Sequence, residues 1–162
     1  MNVNILVLTR RALRSGLVSG AFAAAFAGWR ASAEGATAVA PLNAVTHCLW
    51  PRRAFQQTRP SVRYTLSGAA IHAGSAVFWA TLFEALCNRL SPDAPHADPV
   101  AVATAAAATA ATAYVVDYHV VPERLQPGFD AHVSRPSLTG IYIALAAGLA
   151  VSAWLDRTGD GS

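Results

Sequence analysis

Apolar residues run along this chain in four long blocks, covering about residues 14–33, 63–86, 99–118 and 137–155. The blocks are too long and too uniform for the alternation of a half-buried strand, and they predict helices. The clearest is RYTLSGAAIHAGSAVFWATLFEAL, residues 63–86, where twenty residues without fixed charge separate Arg63 from Glu84. That is close to what a helix needs to cross roughly 30 Å of hydrocarbon. At helical spacing Thr65, Gly68, His72, Ser75 and Trp79 form one stripe, expected to face protein. Leu66, Ala70 and Val77 lie opposite and are expected to face lipid.

The other blocks differ in texture. The first carries Gly16, Gly20, Ala24 and Gly28 at four-residue spacing, and the last repeats the pattern with Gly140, Ala144, Gly148 and Ser152. Such small-residue ridges let helix backbones approach closely in lipid. They predict a tight bundle and offer a surface for a homo-oligomer or a membrane partner. The third block is dominated by Ala, Thr and Val, which suits a buried helix. It is expected to end near Asp117 and His119, because Pro122 cannot continue the hydrogen-bond ladder. The turn CNRLSPDAPHADP is short, so the second and third helices run antiparallel.

Residues 36–50 are apolar but too short to cross, and Pro41 interrupts them; a re-entrant or interfacial segment is the expectation. Charge counting favours a segment that returns the chain to its starting face. Arg52, Arg53, Arg59 and Arg63 then join Arg10, Arg11 and Arg14 on the cytoplasmic side, with the N-terminus. A rival reading of the start is a secretory signal, with Ala31-Ser32-Ala33 before Glu34 as its cleavage site. Arg30 and Glu34 stand one turn apart and are expected to pair.

Composition supports a lipid setting for one all-α, polytopic transmembrane bundle, with four main spanning helices plus the short segment. Hydrophobic residues make up 54% and charged residues 13%, about half the charge of a soluble domain. The net charge of +3 is too scattered to imply nucleic acid. Cys48 and Cys87 fall toward opposite faces, and no disulfide is expected between them.

Chemistry is sparse. His72 lies near the middle of its helix, where an ionisable group is costly and suggests a role. It can be a haem or metal ligand, a proton-relay station, or a hydrogen-bond anchor to the alanine-rich helix. With Thr65, Ser75 and Trp79 it makes a candidate intramembrane polar site. The antiparallel pair also brings His47 to the face that holds Asp117, His119 and Glu123, a candidate surface-side cluster. Histidines and carboxylates of that kind can bind zinc or iron, although no HxxxH or HExxH spacing is present. Glu84 is expected at the opposite face, paired with Arg89.

At PLNAVTHCLW, IHAGSAVFWATLFE and VVDYHVVPERLQPGF the chain resembles small, uncharacterised polytopic inner-membrane proteins of bacteria. The resemblance implies the cytoplasmic membrane as location and brings no known activity or cofactor. Three functions stay open: a structural or partner-binding membrane protein, a metal- or haem-dependent redox enzyme, and an oligomeric proton-coupled transporter centred on His72.

Overall fold

The computed structural model describes residues 5–159, and every regular element among them is helical. Helix α1 covers Ile5–Ala33 and α2 covers Ala40–Val45, followed by a tight turn at Thr46–Cys48. A wide turn at Val62–Leu66 leads into α3, Ser67–Leu90. Helix α4 is Pro99–Val115, extended by a wide turn at Val116–Val120, and α5 is Arg135–Gly159. Asp98 caps α4 by accepting from the Val100 N–H at 2.8 Å, and Pro99 opens the helix where no N–H is needed.

Three helices are long and apolar enough to cross a membrane: Val62–Leu90, Pro99–Val120 and Arg135–Thr158. Helix α1 is long enough but does not reach that apolarity, because Arg10, Arg11 and Arg14 sit in its opening turns. It also starts well before residue 14, since Arg and Leu are strong helix formers.

Helix α1 lies between α3 and α5 and runs antiparallel to both. Along α5, Ser15 meets Ser152, Ser19 meets Gly148 and Phe26 meets Gly140. Along α3, Ser15 meets Glu84, Gly16 meets Val77 and Gly20 meets His72. A Cβ on Gly16 would come within 2.4 Å of the Val77 Cα, and one on Gly148 within 2.5 Å of the Ser19 Cα. Both small-residue ridges are therefore used inside the chain. Val77, expected to face lipid, packs against α1 instead, because Gly16 leaves room for it. Leu66 and Ala70 are exposed, as read from the sequence. Helix α4 completes the bundle against α3 and α5 through Val102, Ala105, Ala106 and Ala110.

Because α1 and α3 are antiparallel neighbours, residues 34–62 begin and end at the same end of the bundle. Helix α2 has six residues, about 9 Å by helical rise. It is pinned where the Leu42 carbonyl lies against Gly68. The returning crossing favoured by charge counting is corrected: this segment caps one end. That end holds seven arginines (30, 52, 53, 59, 63, 124 and 135), and the other holds five (10, 11, 14, 89 and 157).

The same end is closed by Glu34. Its carboxylate accepts from the Ser137 hydroxyl, from the N–H and hydroxyl of Ser134, and from Arg30 at 2.9 Å. These donors, Ser137 foremost, hold its pKa down from the ordinary 4.5 to about 2. The linkage is that of a depressed carboxylate. Its stabilising contribution is full above pH 4.5, declines as pH falls, and is gone below about 2. In thermal unfolding at stepped pH, the gap between wild type and Glu34→Gln should shrink between pH 4.5 and 2. A constant gap would refute the assignment.

Candidate functional site

Asp117 sits just past the last regular turn of α4, where the backbone widens. The Val121 N–H returns five residues, to the Val116 carbonyl at 3.0 Å. Such wide turns are frequent at functional sites. Across from it, the Tyr142 hydroxyl of α5 donates to Asp117 Oδ2 at 2.8 Å, and Trp79 of α3 borders the same space. Tyr114 and Tyr118 each meet the Tyr142 ring edge to face, and the three ring centroids lie 5.4–6.2 Å apart.

Asp117, Tyr142 and Trp79 border a cavity of about 610 Å³ between α3, the end of α4, α5 and the 121–129 loop. Small-molecule sites typically measure about 300–1,000 Å³. Its walls are chiefly apolar, among them Ile71, Phe78, Phe129, Ile141 and Leu145. His72, Ser75, Trp79 and Asp117 all line it. Gly74 and Ser75 are exposed on α3 and still line the cavity, so it reaches the outer surface of the bundle there. A Cβ on Gly74 would meet nothing within 4 Å.

His72 is anchored, but to α1 and not to the alanine-rich α4. Its Nε2 lies 2.9 Å from the Gly20 carbonyl, while a Cβ on Gly20 would crowd Ala76 of α3 at 3.0 Å. A carbonyl only accepts, so Nε2 carries the hydrogen, and in the neutral ring Nδ1 keeps a lone pair. The Phe129 ring meets the imidazole edge-on at 5.7 Å. Thr65 is elsewhere. Its hydroxyl donates to Asn43 Oδ1 at 2.7 Å, while the Asn43 amide donates to the carbonyls of Gln57 and Arg59. That group fixes the 57–65 strap to α2.

The residues of the surface-side cluster share an end of the bundle but not a centre. His47 is buried, with Nδ1 2.9 Å from the Ala44 carbonyl and Nε2 2.9 Å from the backbone carbonyl of Glu123. The Glu123 carboxylate is not its partner. Both residues border a second cavity of about 590 Å³ with Asp130 and Phe55. Gly128 closes it at φ +76°, and a Cβ there would come within 3.1 Å of His47 and 3.2 Å of Phe55, so a side chain would be both strained and crowded. Burial lowers the pKa of His132 in the adjoining loop. His119 is exposed, edge-on to Tyr114 at 5.6 Å. Among the described residues no three His, Cys, Asp or Glu side chains are grouped to hold a metal ion.

At the opposite end lies a buried polar cluster that sequence reasoning missed. Glu84 is fully buried and unpaired with Arg89. Ala76, Ala80, Phe83, Glu84 and Cys87 share the inward face of α3, and Arg89 lies outside it, exposed. Glu84 Oε1 accepts from Ser15 at 2.6 Å, and Oε2 lies 2.8 Å from His96 Nε2. His96 Nδ1 is 3.3 Å from Asp156, which also pairs with Arg14. The His96 ring stacks on Phe83. The α3–α4 turn thus folds back over the bundle, which no local spacing could announce. Cys48 and Cys87 are both free thiols, toward opposite ends of the bundle.

No protein-family model, curated protein or solved structure matches this chain, so its site is read from geometry alone.

Leaving a buried donor or acceptor without its hydrogen-bond partner costs about 1–3 kcal/mol. Glu84→Gln is expected to lower the unfolding free energy by that order, and Ser15→Ala by about 1 kcal/mol, each read as a lower unfolding midpoint. A Glu84→Gln midpoint equal to wild type would remove the cluster from the account.

Proposed function

We propose that this chain is a four-span integral membrane protein of the cytoplasmic membrane that binds a small lipophilic molecule in the cavity beside Asp117. The cavity is the observation that carries the reading. It gathers the polar side chains of an otherwise apolar surface and has the size of a ligand site.

Several features support a lipid setting. Large apolar side chains stand exposed around the bundle, including Leu13, Leu17, Phe22, Leu66, Phe78 and Ile143. Trp29 and Trp154 are exposed near opposite ends of it, the arrangement of interfacial aromatic belts. Helix α1 is the fourth crossing. Between Arg14 and Arg30 it has fifteen uncharged residues, about 22 Å by helical rise. Its inward faces are covered by α3 and α5, so it needs less apolar surface than the others.

The end with seven arginines faces the cytoplasm, which puts the N-terminus on the other side, opposite to the expectation from sequence. In cells carrying the chain with Cys48→Ser and Cys87→Ala, a membrane-impermeant maleimide should label Asp93→Cys and spare Arg53→Cys until the cells are opened. The reverse pattern would invert the orientation. Recovery of the chain from the aqueous fraction without detergent would end the membrane reading.

Binding has a direct handle in Gly74. Gly74→Leu fills the mouth of the cavity without meeting a neighbouring backbone, and leucine favours the helix over glycine by up to about 1 kcal/mol. The detergent-purified protein should bind a neutral naphthylethanol, read by quenching of the tryptophan emission to which Trp79 in the cavity wall contributes. Gly74→Leu should weaken this at least about tenfold with the unfolding midpoint kept. Equal binding by the variant would place the probe elsewhere.

A further inference from the structure

Resting on that reading of the cavity, we infer that its ligand is an organic amine: a protonated primary or secondary nitrogen on an apolar, preferably aromatic, body. The polar groups of the cavity are arranged for a donor that carries positive charge. Asp117 is the one Asp, Glu, Lys or Arg side chain among the residues that line it. The group that holds the Asp117 carboxylate, the Tyr142 hydroxyl, is a neutral donor. It fixes the carboxylate's orientation without cancelling its charge. A carboxylate has about four lone-pair positions, so this donor leaves capacity for a further N–H.

His72 adds to the same preference. With Nε2–H committed to the Gly20 carbonyl, the neutral ring has an acceptor to offer at Nδ1. An incoming carboxylate or phosphate would instead meet the Asp117 charge, with no arginine in the lining to offset it. The walls are suited to a cation as well. Phe78, Trp79, Phe129 and Tyr142 present aromatic rings to the space, and aromatic faces attract ammonium groups. The remaining apolar lining excludes inorganic cations, which need several oxygen ligands that this cavity does not supply. An apolar body with one ammonium head satisfies each of these features.

The ligand reaches the cavity along α3, past Gly74 and Ser75, where the lining is exposed. On this path the apolar body stays against the outer surface of the bundle while the nitrogen advances to Asp117.

The test compares two probes of one shape, a naphthylethylamine and the matching naphthylethanol, titrated into detergent-solubilised full-length protein. The amine should bind at least about tenfold more tightly, the increment of a charge-assisted hydrogen bond. Asp117→Asn should abolish that preference while the alcohol keeps its affinity, and this retained binding certifies that the variant is folded. Equal affinity of both probes for wild type, lost together in Gly74→Leu, would overturn the amine assignment and leave the cavity as a binding site. Failure of both probes to bind would overturn the two readings together. The wild-type comparison decides the matter even where Asp117→Asn does not fold.

Discussion

Backbone-to-backbone approach along α1 governs the rest of this bundle. Helix α1 has small residues on two faces: Gly16 and Gly20 turn toward α3, and Ser15 and Ser19 toward α5. Contacts this close gain dispersion energy along the whole helix, and in lipid, where burial of apolar surface gives no drive, that gain holds helices together. They also set positions. Gly20 lets Ala76 of α3 come close, and at that spacing the His72 imidazole reaches the Gly20 carbonyl and is held at the edge of the cavity. Because Ser15 is small and polar, Glu84 can be buried with a donor already in place.

The two ends of the bundle are closed by different chemistry. One end uses an exposed carboxylate, Glu34, surrounded by donors from the start of α5. The other uses a buried carboxylate, Glu84, with His96 folded over it. The cavity lies toward the first end, where α4 gives up its regular ladder and small residues on α3 leave space unfilled. In a close-packed interior an unfilled volume of that size forgoes many contacts. The volume lies next to a carboxylate held by a hydrogen bond, that of Asp117.

Much of the fold was legible in the hydrophobic pattern. The blocks at 63–86, 99–118 and 137–155 correspond to helices of spanning length, and Pro122 stops α4 where its missing N–H demands. The Arg30–Glu34 pair follows from helical spacing alone, and is formed at 2.9 Å. What failed depended on direction and on folding back. Charge counting sent residues 36–50 across, whereas α2 caps the bundle, because counting arginines cannot sense the contact between Leu42 and Gly68. At the candidate site, polarity against an alanine-rich background singled out His72, Trp79 and Asp117. Tyr142 and Phe129 stayed unnoticed, since an aromatic residue in an apolar block carries no signal of its own. His96 was hidden for the opposite reason: in a proline-rich turn it looks solvated, and only the return of that turn onto Phe83 buries it.

If the cavity takes its ligand from the bilayer, as proposed, the opening beside Gly74 alters what concentration means for this protein. A site entered sideways from a bilayer samples the amount of compound dissolved per lipid, not the amount free in water. Compounds that partition strongly would occupy it at vanishing aqueous levels, and adding empty vesicles would strip it without any competitor.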